Sequence, residues 1–288
     1  MHFSIQNLAF LAQAQVVAVP PVGPPPPFPT ANYLLQFSLY NNLSKFVDEN
    51  SHEHAIDLLG SLPDVVGVTG NHYDLINGTS FDNEEGSDIG FAEFDAVNDY
   101  MGNDGADTYV QDRGLVIDTR NPFSISMWCW YSGAVGGPSG NAIKWGGQGN
   151  ARGASAYGSG GFSLATLNQA DGSNKLRMYG PIGHSLDNEL SCPTGSWFML
   201  GLTKNAANQI SGYINSTGAL MSSGAGDSGQ RELSDKVAIF EFGRDYNGST
   251  YSYGSFVKKI SDARIWSGAH TPAEMGVVYD DTKANFGF

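Results

Sequence analysis

A chain of 288 residues with 41% hydrophobic and 15% charged residues has the apolar material for one large core and a surface of Gly, Ser, Asn and Thr. Its 15 Lys and Arg stand against 29 Asp and Glu, a formal net charge of −14, which leaves no basic stripe for nucleic acid and disfavours adhesion to anionic membranes. Two cysteines, Cys129 and Cys192, are too few for a disulfide framework or a zinc ligand set; a buried free thiol at Cys129 and a single 129–192 bridge are the alternatives.

In chain order, residues 1–30 read as an N-terminal arm. LAFLAQAQVVAV resembles a signal sequence, but no Lys or Arg precedes Lys45, Gln13 and Gln15 interrupt the apolar run, and the run is too short to span a bilayer. Pro20 to Pro29 reads PPVGPPPPFP, stiff in polyproline II and short of amide donors, so it cannot join a central strand. The arm is expected to pack on its own domain or to grip other subunits with MHFSIQNLAF, which would make the protein part of an oligomer. Residues 31–288 read as one β domain. ANYLLQFSLY opens it, Asn77 to Gly90 reads as a long acidic loop, and GFAEFDAVNDYM reads as the next strand. FSISMWCWY places Phe123, Ile125, Met127, Cys129 and Tyr131 on one face and Trp128 and Trp130 on the other, the pattern of a central strand covered on both sides. A Gly-rich loop is expected from Gly133 to Gly161. GFSLATLNQADGSNKLRMYG predicts a hairpin around Asp171-Gly172, WFMLGLTKNAANQISGYIN a second around Asn205 to Asn208, and KVAIFEFGR and GSFVKKISDARIW the last strands. TPAEMGVVYDD predicts a helix with Thr271 as N-cap, Pro272 at N1 and Glu274 closing a capping box.

The order of these segments resembles the laminin G-like jelly rolls of the concanavalin A-like lectin and glucanase superfamily. YLLQFSLYNN with Asp48-Glu49-Asn50-Ser51 is similar to their opening strand and turn, and FAEFDAVNDYM to their next strand, with Phe94 and Asp95 at its centre. Phe123, Ile125 and Trp128 match the central F-x-I-x-x-W strand. Gly243, Arg244, Asp262, Arg264, Ile265, Trp266 and Glu274 match the closing signature, while Ser216 replaces the usual glycine after Asn215. The resemblance extends from about Ala31 to the C-terminus. It implies an all-β, two-sheet antiparallel jelly-roll sandwich with one short C-terminal helix and an extended Pro-rich arm, with first and last strands as neighbours and Phe37 and Leu39 close to Ile265 and Trp266. This fold serves lectins, hydrolases, adhesion modules and coat proteins, so it leaves function open.

Function is therefore sought in the residues. Laminarinase-like members carry E-x-D-x-x-E on one strand; here Glu93-x-Asp95 is followed by Asn98, and the third carboxylate is missing, so no catalytic residue is assigned. The lone pair His52 and His54 in SHEHA reads as loop histidines rather than a zinc motif. No cofactor is required. Calcium is the metal the resemblance implies, with Asp48 and Asp262 as its nominees; the alternative gives Asp48 a turn to cap and Asp262 an Arg264 partner or a turn amide. A glycan site needs aromatic platforms beside hydrogen-bonding groups, and Trp145, Tyr157, Tyr246, Asn247, Tyr251 and Tyr253 are its candidates. The leading expectation is a non-enzymatic structural or adhesive virion protein, a bacteriophage capsid decoration, tail or fibre component at the virion surface. Residues 1–30 would hold the other virion subunits. The alternative is a free, extracellular carbohydrate-binding or adhesion module, and a glucanase comes third.

Overall fold

The computed structural model describes residues 33–38, 45–48, 53–55, 74–76, 80–83, 89–95, 99–102, 117–133, 142–148, 162–168, 174–179, 185–222, 240–246, 251–252 and 257–288. These form two antiparallel sheets, a short hairpin and one helix with a 3-10 turn after it. The arm, residues 1–30, and the Asp171-Gly172 turn lie outside the described residues.

The larger sheet is organised by its two longest strands, β8 (Phe123–Tyr131) and β19 (Lys258–Ser267). On the far side of β8 come β13 (Phe198–Lys204), β14 (Ile210–Ile214) and β15 (Thr217–Ser222). The other edge of β19 is shared. Its C-terminal half pairs with β1 (Tyr33–Ser38), which is followed outward by β2 (Lys45–Asp48) and β3 (Glu53–Ala55). Its N-terminal half pairs with β6 (Gly90–Phe94), itself flanked by β5 (Ser80–Asn83). First and last strands are thus neighbours, with Leu35 opposite Ile265 and Tyr33 opposite Trp266, whereas Phe37 faces Ala263; Leu39 lies outside the described residues.

The smaller sheet runs β12 (Ser185–Ser191), β11 (Asn174–Tyr179), β10 (Phe162–Asn168), β9 (Ala142–Gln148), β16 (Glu241–Phe242), β7 (Tyr100–Gly102) and β4 (Asp74–Ile76). Three expectations need correction. Ser80–Asn83 inside the expected acidic loop is a strand, whose backbone pairs antiparallel with β6 from Ser80 opposite Glu93 to Asn83 opposite Gly90. GFAEFDAVNDYM is not one strand. It breaks after Phe94, where the Asp95 amide donates to Asp99 Oδ2 at 3.0 Å, and its halves β6 and β7 enter different sheets. The Gly-rich stretch contains β9, whose Gly147 lets β10 approach: a Cβ there would come within 2.5 Å of the Phe162 carbonyl oxygen.

The main core lies between the sheets. Phe123, Ile125, Met127, Cys129 and Tyr131 of β8 meet Trp145, Phe162, Leu164, Leu176, Met178 and Phe242 of the smaller sheet. A one-residue bulge at Ser261 lets β19 contribute Ile260 and then Ala263 and Ile265 to this same face, a parity that an unbroken strand forbids. Both cysteines are buried free thiols, not a bridge. Burial pushes Cys192 up to about 12 and Cys129 well above its ordinary range, which makes both inert as nucleophiles.

A second core covers the other face of the larger sheet. Trp128, Met199, Tyr213 and Trp266 are roofed by Met275 and Val278 of the helix α1 (Pro272–Thr282) and by Phe286 of the 3-10 turn Lys283–Phe286. Trp128 stacks on Phe286 at 4.1 Å between centroids and donates its indole N–H to Thr282 Oγ1 at 2.8 Å. This is why β8 is apolar on both faces. The helix starts at the expected capping box: the Thr271 amide donates to Glu274 Oε2 at 2.7 Å, and the Glu274 amide returns to Thr271 Oγ1 at 3.2 Å. Among the described residues no helix is long and apolar enough to cross a membrane.

Candidate functional site

Trp145, expected as an exposed glycan platform, is fully buried. As the fourth residue of β9 it points between the sheets, donates Nε1–H to Thr166 Oγ1 at 2.8 Å and meets Tyr131 and Phe198 edge-on at 5.8 Å each. It belongs to the core. Tyr157, Asn247 and Tyr253 lie outside the described residues. Tyr246 and Tyr251 are brought together: β17 (Asp245–Tyr246) and β18 (Tyr251–Ser252) form a two-stranded hairpin in which they are direct cross-strand partners. Direct partners of an antiparallel pair belong to the same face of the hairpin.

The hairpin is rooted by residues that sequence reading did not assign to a site. Gly243 turns the chain with φ +86 and donates its amide to the Trp145 carbonyl at 2.9 Å. A Cβ at Gly243 would lie 2.5 Å from the Phe94 ring, so glycine is required there twice over. One residue later Arg244 closes a bidentate pair on Glu241, Nε to Oε2 and Nη2 to Oε1 at 2.7 Å each, with both side chains almost wholly buried. The Arg244 guanidinium also lies over the Tyr100 ring, 3.0 Å from its centroid. Burial pushes the Glu241 carboxyl upward, and the Arg244 hydrogen bonds and charge pull it back. The signal in the sequence was the Glu-x-Gly-Arg run at a strand end, where a turn of glycine folds the arginine back on the glutamate.

Alternation puts Glu241 and Tyr100 on the outer face of the smaller sheet, since Phe242 and Met101 point into the core. Glu241 is opposite Gly147, and Gly147 is opposite Ser163. The same outer face carries Ala165 with Lys144 on one side and Arg177 on the other, and Lys175 opposite Leu167. Ser163 and Ala165 have no exposed surface and Lys144 is 6% exposed, while Lys175 and Arg177 are half-buried. On this face the described residues of β9 and β10 are covered, and those of β11 are partly exposed.

The metal nominees lie apart. Asp262 is buried and holds Arg264 bidentately, Nε to Oδ1 and Nη2 to Oδ2 at 3.0 Å each, which is the alternative role named for it. Asp262 is opposite Ser38, whereas Asp48 is opposite Leu35, so the intervening strand β1 and three register steps separate them. Among the described residues no group of three or more His, Cys, Asp or Glu could hold a metal ion. His54 sits in a strand, not a loop, opposite Phe46; His52 lies outside the described residues.

The carboxylates near the glucanase-like position have other contacts. Glu93 Oε2 is 3.9 Å from Lys259 Nζ on the neighbouring strand, and Lys259 lies over the rings of Phe91 and Trp130 at 4.0 and 4.7 Å. Asp99 is 4% exposed and caps the Asp95 amide; burial raises its carboxyl above the ordinary range.

No family model and no curated protein matches this chain. Solved structures give distant likenesses. A native heptameric SAP-like pentraxin from Limulus polyphemus is 13% identical with a TM-score of 0.41, over 55% of this chain and 70% of the other. The receptor binding domain of botulinum neurotoxin D is 12% identical with a TM-score of 0.47, over 87% of this chain and 53% of the other, so the chain spans about half that domain's length. Domain 4 of AbnA, a GH43 extracellular arabinanase from Geobacillus stearothermophilus in complex with arabinotriose, is 16% identical with a TM-score of 0.49, over 86% and 98%. At these values the likenesses assign neither ligand nor activity to this chain.

Proposed function

We propose that this chain is a non-catalytic, lectin-like sandwich that binds a glycan at the β17–β18 hairpin and the adjoining outer face of the smaller sheet. The observation that carries the reading is the register of Tyr246 with Tyr251 on a hairpin rooted by the buried Glu241–Arg244 pair. Sugars offer apolar C–H faces and a rim of hydroxyls, and paired aromatic rings on a fixed support meet both needs. Tyr157, Asn247 and Tyr253 remain candidate contacts from the sequence alone. The experiment is affinity electrophoresis against immobilised polysaccharides, comparing the protein with its Tyr246→Ala and Tyr251→Ala variants. Retardation that both substitutions reduce, with melting temperatures unchanged, supports the site; retardation indifferent to both removes it. Incubation with β-glucans is expected to release no reducing ends, and hydrolysis abolished by Glu93→Gln would overturn the non-catalytic reading.

Within this proposal the laminin G-like subtype rests on the order of the sequence motifs. Display on a virion surface through residues 1–30, or release as an extracellular module, rests on the Pro-rich arm in the sequence. Deleting residues 1–30 is expected to leave the sandwich folded, since the described residues beyond them already form both cores, while abolishing incorporation into a parent assembly. Circular dichroism and a reconstitution assay separate the two effects.

A further inference from the structure

The linker that carries the chain from β19 into α1 is clasped at one point. Ser124 Oγ on β8 donates to the Gly268 carbonyl at 2.7 Å and accepts the His270 amide at 2.7 Å, so one hydroxyl closes the turn from both sides. Gly268 takes φ +137 there, a backbone that side chains rarely adopt. His270 is the last residue before the Thr271 N-cap, and its ring packs edge-on to Trp266 of β19 at 4.7 Å between centroids. Trp266 belongs to the second core, which Met275 and Val278 of α1 roof. The histidine therefore sits where the helix meets the sheet. Its Nε2 is buried and has no hydrogen-bond partner. A neutral imidazole can leave that nitrogen without a proton. An imidazolium cannot, because both of its nitrogens are donors and the buried one would have no acceptor.

We propose that His270 is an acid-sensitive latch on α1: protonation of its ring favours the state in which the helix leaves the larger sheet and the imidazolium meets water. Three elements pack around the ring. β19 offers Trp266 and β8 offers Ser124, both uncharged, and α1 offers Glu274, the one charged group among the described residues that acts on it. Glu274 is held by the Thr271 amide and hydroxyl and compensates only in part, so burial prevails and lowers the histidine below its ordinary 6.5. The closed state then binds fewer protons than the open one. This group's effect on opening is therefore flat above pH 6.5 and grows by at most about tenfold per pH unit below it, down to the depressed value of the closed state. Opening uncovers Trp128, Met199, Tyr213 and Trp266, an apolar face that neutral pH keeps covered. The latch goes beyond the glycan reading and does not depend on it.

The test is hydrogen exchange on the full chain, read by mass spectrometry and corrected for the intrinsic exchange rate at each pH. The opening constant of the α1 amides should rise between about twofold and tenfold from about pH 7.5 to about pH 5.5, while the amides of β8 and β13 keep their protection. In His270→Phe the ring can still pack on Trp266 but takes no proton, so the rise should vanish; His270→Gln serves should phenylalanine disturb the seat. Titration of the His270 ring by NMR in the unaltered protein needs no variant to fold, and its midpoint should lie below 6.5. A midpoint at or above 6.5 would overturn the latch. So would a rise kept by both variants, or strand amides that open together with those of the helix.

Discussion

Replacing Gly201 by alanine tests whether the C-terminal helix seats on the larger sheet as described. Gly201 lies in β13 beneath α1, and a Cβ there would stand 2.6 Å from Met275 Cε and 3.1 Å from Tyr213 Cβ. The thioether end of Met275 is flexible, but Met275 is fully buried and has little room into which to swing. Overpacking of this kind costs about 1–3 kcal/mol. Met275→Ala alone removes a buried side chain and should cost about 2–5 kcal/mol. In the double variant the new methyl of residue 201 enters space that Met275 has vacated, so the two losses should fall short of their sum by at least about 1 kcal/mol, within the range seen for residues in contact. Urea unfolding of the four proteins, analysed by linear extrapolation at equal m-values, measures each quantity. Losses that add within about 0.5 kcal/mol would refute the contact and with it this placement of the helix.

Four further outcomes are expected. Arg244→Leu should destabilise the domain by about 3–5 kcal/mol because it strands a buried carboxylate, and adding Glu241→Leu should recover most of that loss. Thr271→Ala should cost about 1 kcal/mol by removing the hydroxyl that accepts the Glu274 amide, while the Thr271 backbone amide keeps its bond to Glu274, read from the same urea curves. His270 packs edge-on to Trp266 at 4.7 Å, its Nε2 is buried without a partner, and burial lowers its pKa below the ordinary 6.5. The unfolded chain therefore binds more protons than the folded one, so the histidine's contribution is present above pH 6.5 and is lost as pH falls from there towards the depressed folded value; His270→Phe should flatten that part of the stability-against-pH curve. Excess chelator should leave the melting curve unchanged, since Asp262 is already satisfied by Arg264; a fall in melting temperature, restored by calcium, would reinstate the metal.

The sandwich was legible because its strongest signals were periodic and local. The double-faced apolar alternation of FSISMWCWY predicted a central strand, and the structure supplies a cover for each face, the smaller sheet on one and α1 on the other. The capping box was legible for the same reason: Thr271, Pro272 and Glu274 interact within one turn. Errors arose where tertiary contacts decide. Ser80–Asn83 is a strand through its pairing with β6, a partner distant enough that no local signal marks it, and β6 ends where the Asp95 amide turns to the Asp99 carboxylate instead of a neighbouring strand. Trp145 was misread as a platform because glycines around it imitate a loop, whereas in the fold those glycines admit neighbouring backbone and aromatic rings.

The site was less legible than the fold because it is made by adjacency across strands. Glu241 and Arg244 stand close enough in the chain to be read as one run, but Tyr100, over whose ring the Arg244 guanidinium lies, and Trp145, whose carbonyl accepts the Gly243 amide, come from distant strands. No motif spans those intervals; only the pairing of β16 with β7 on one side and β9 on the other makes them neighbours. The turn at Gly243 and the ion pair behind it are therefore fixed by tertiary contacts, and the position of a hairpin rooted on them follows from the register of the smaller sheet rather than from the run itself.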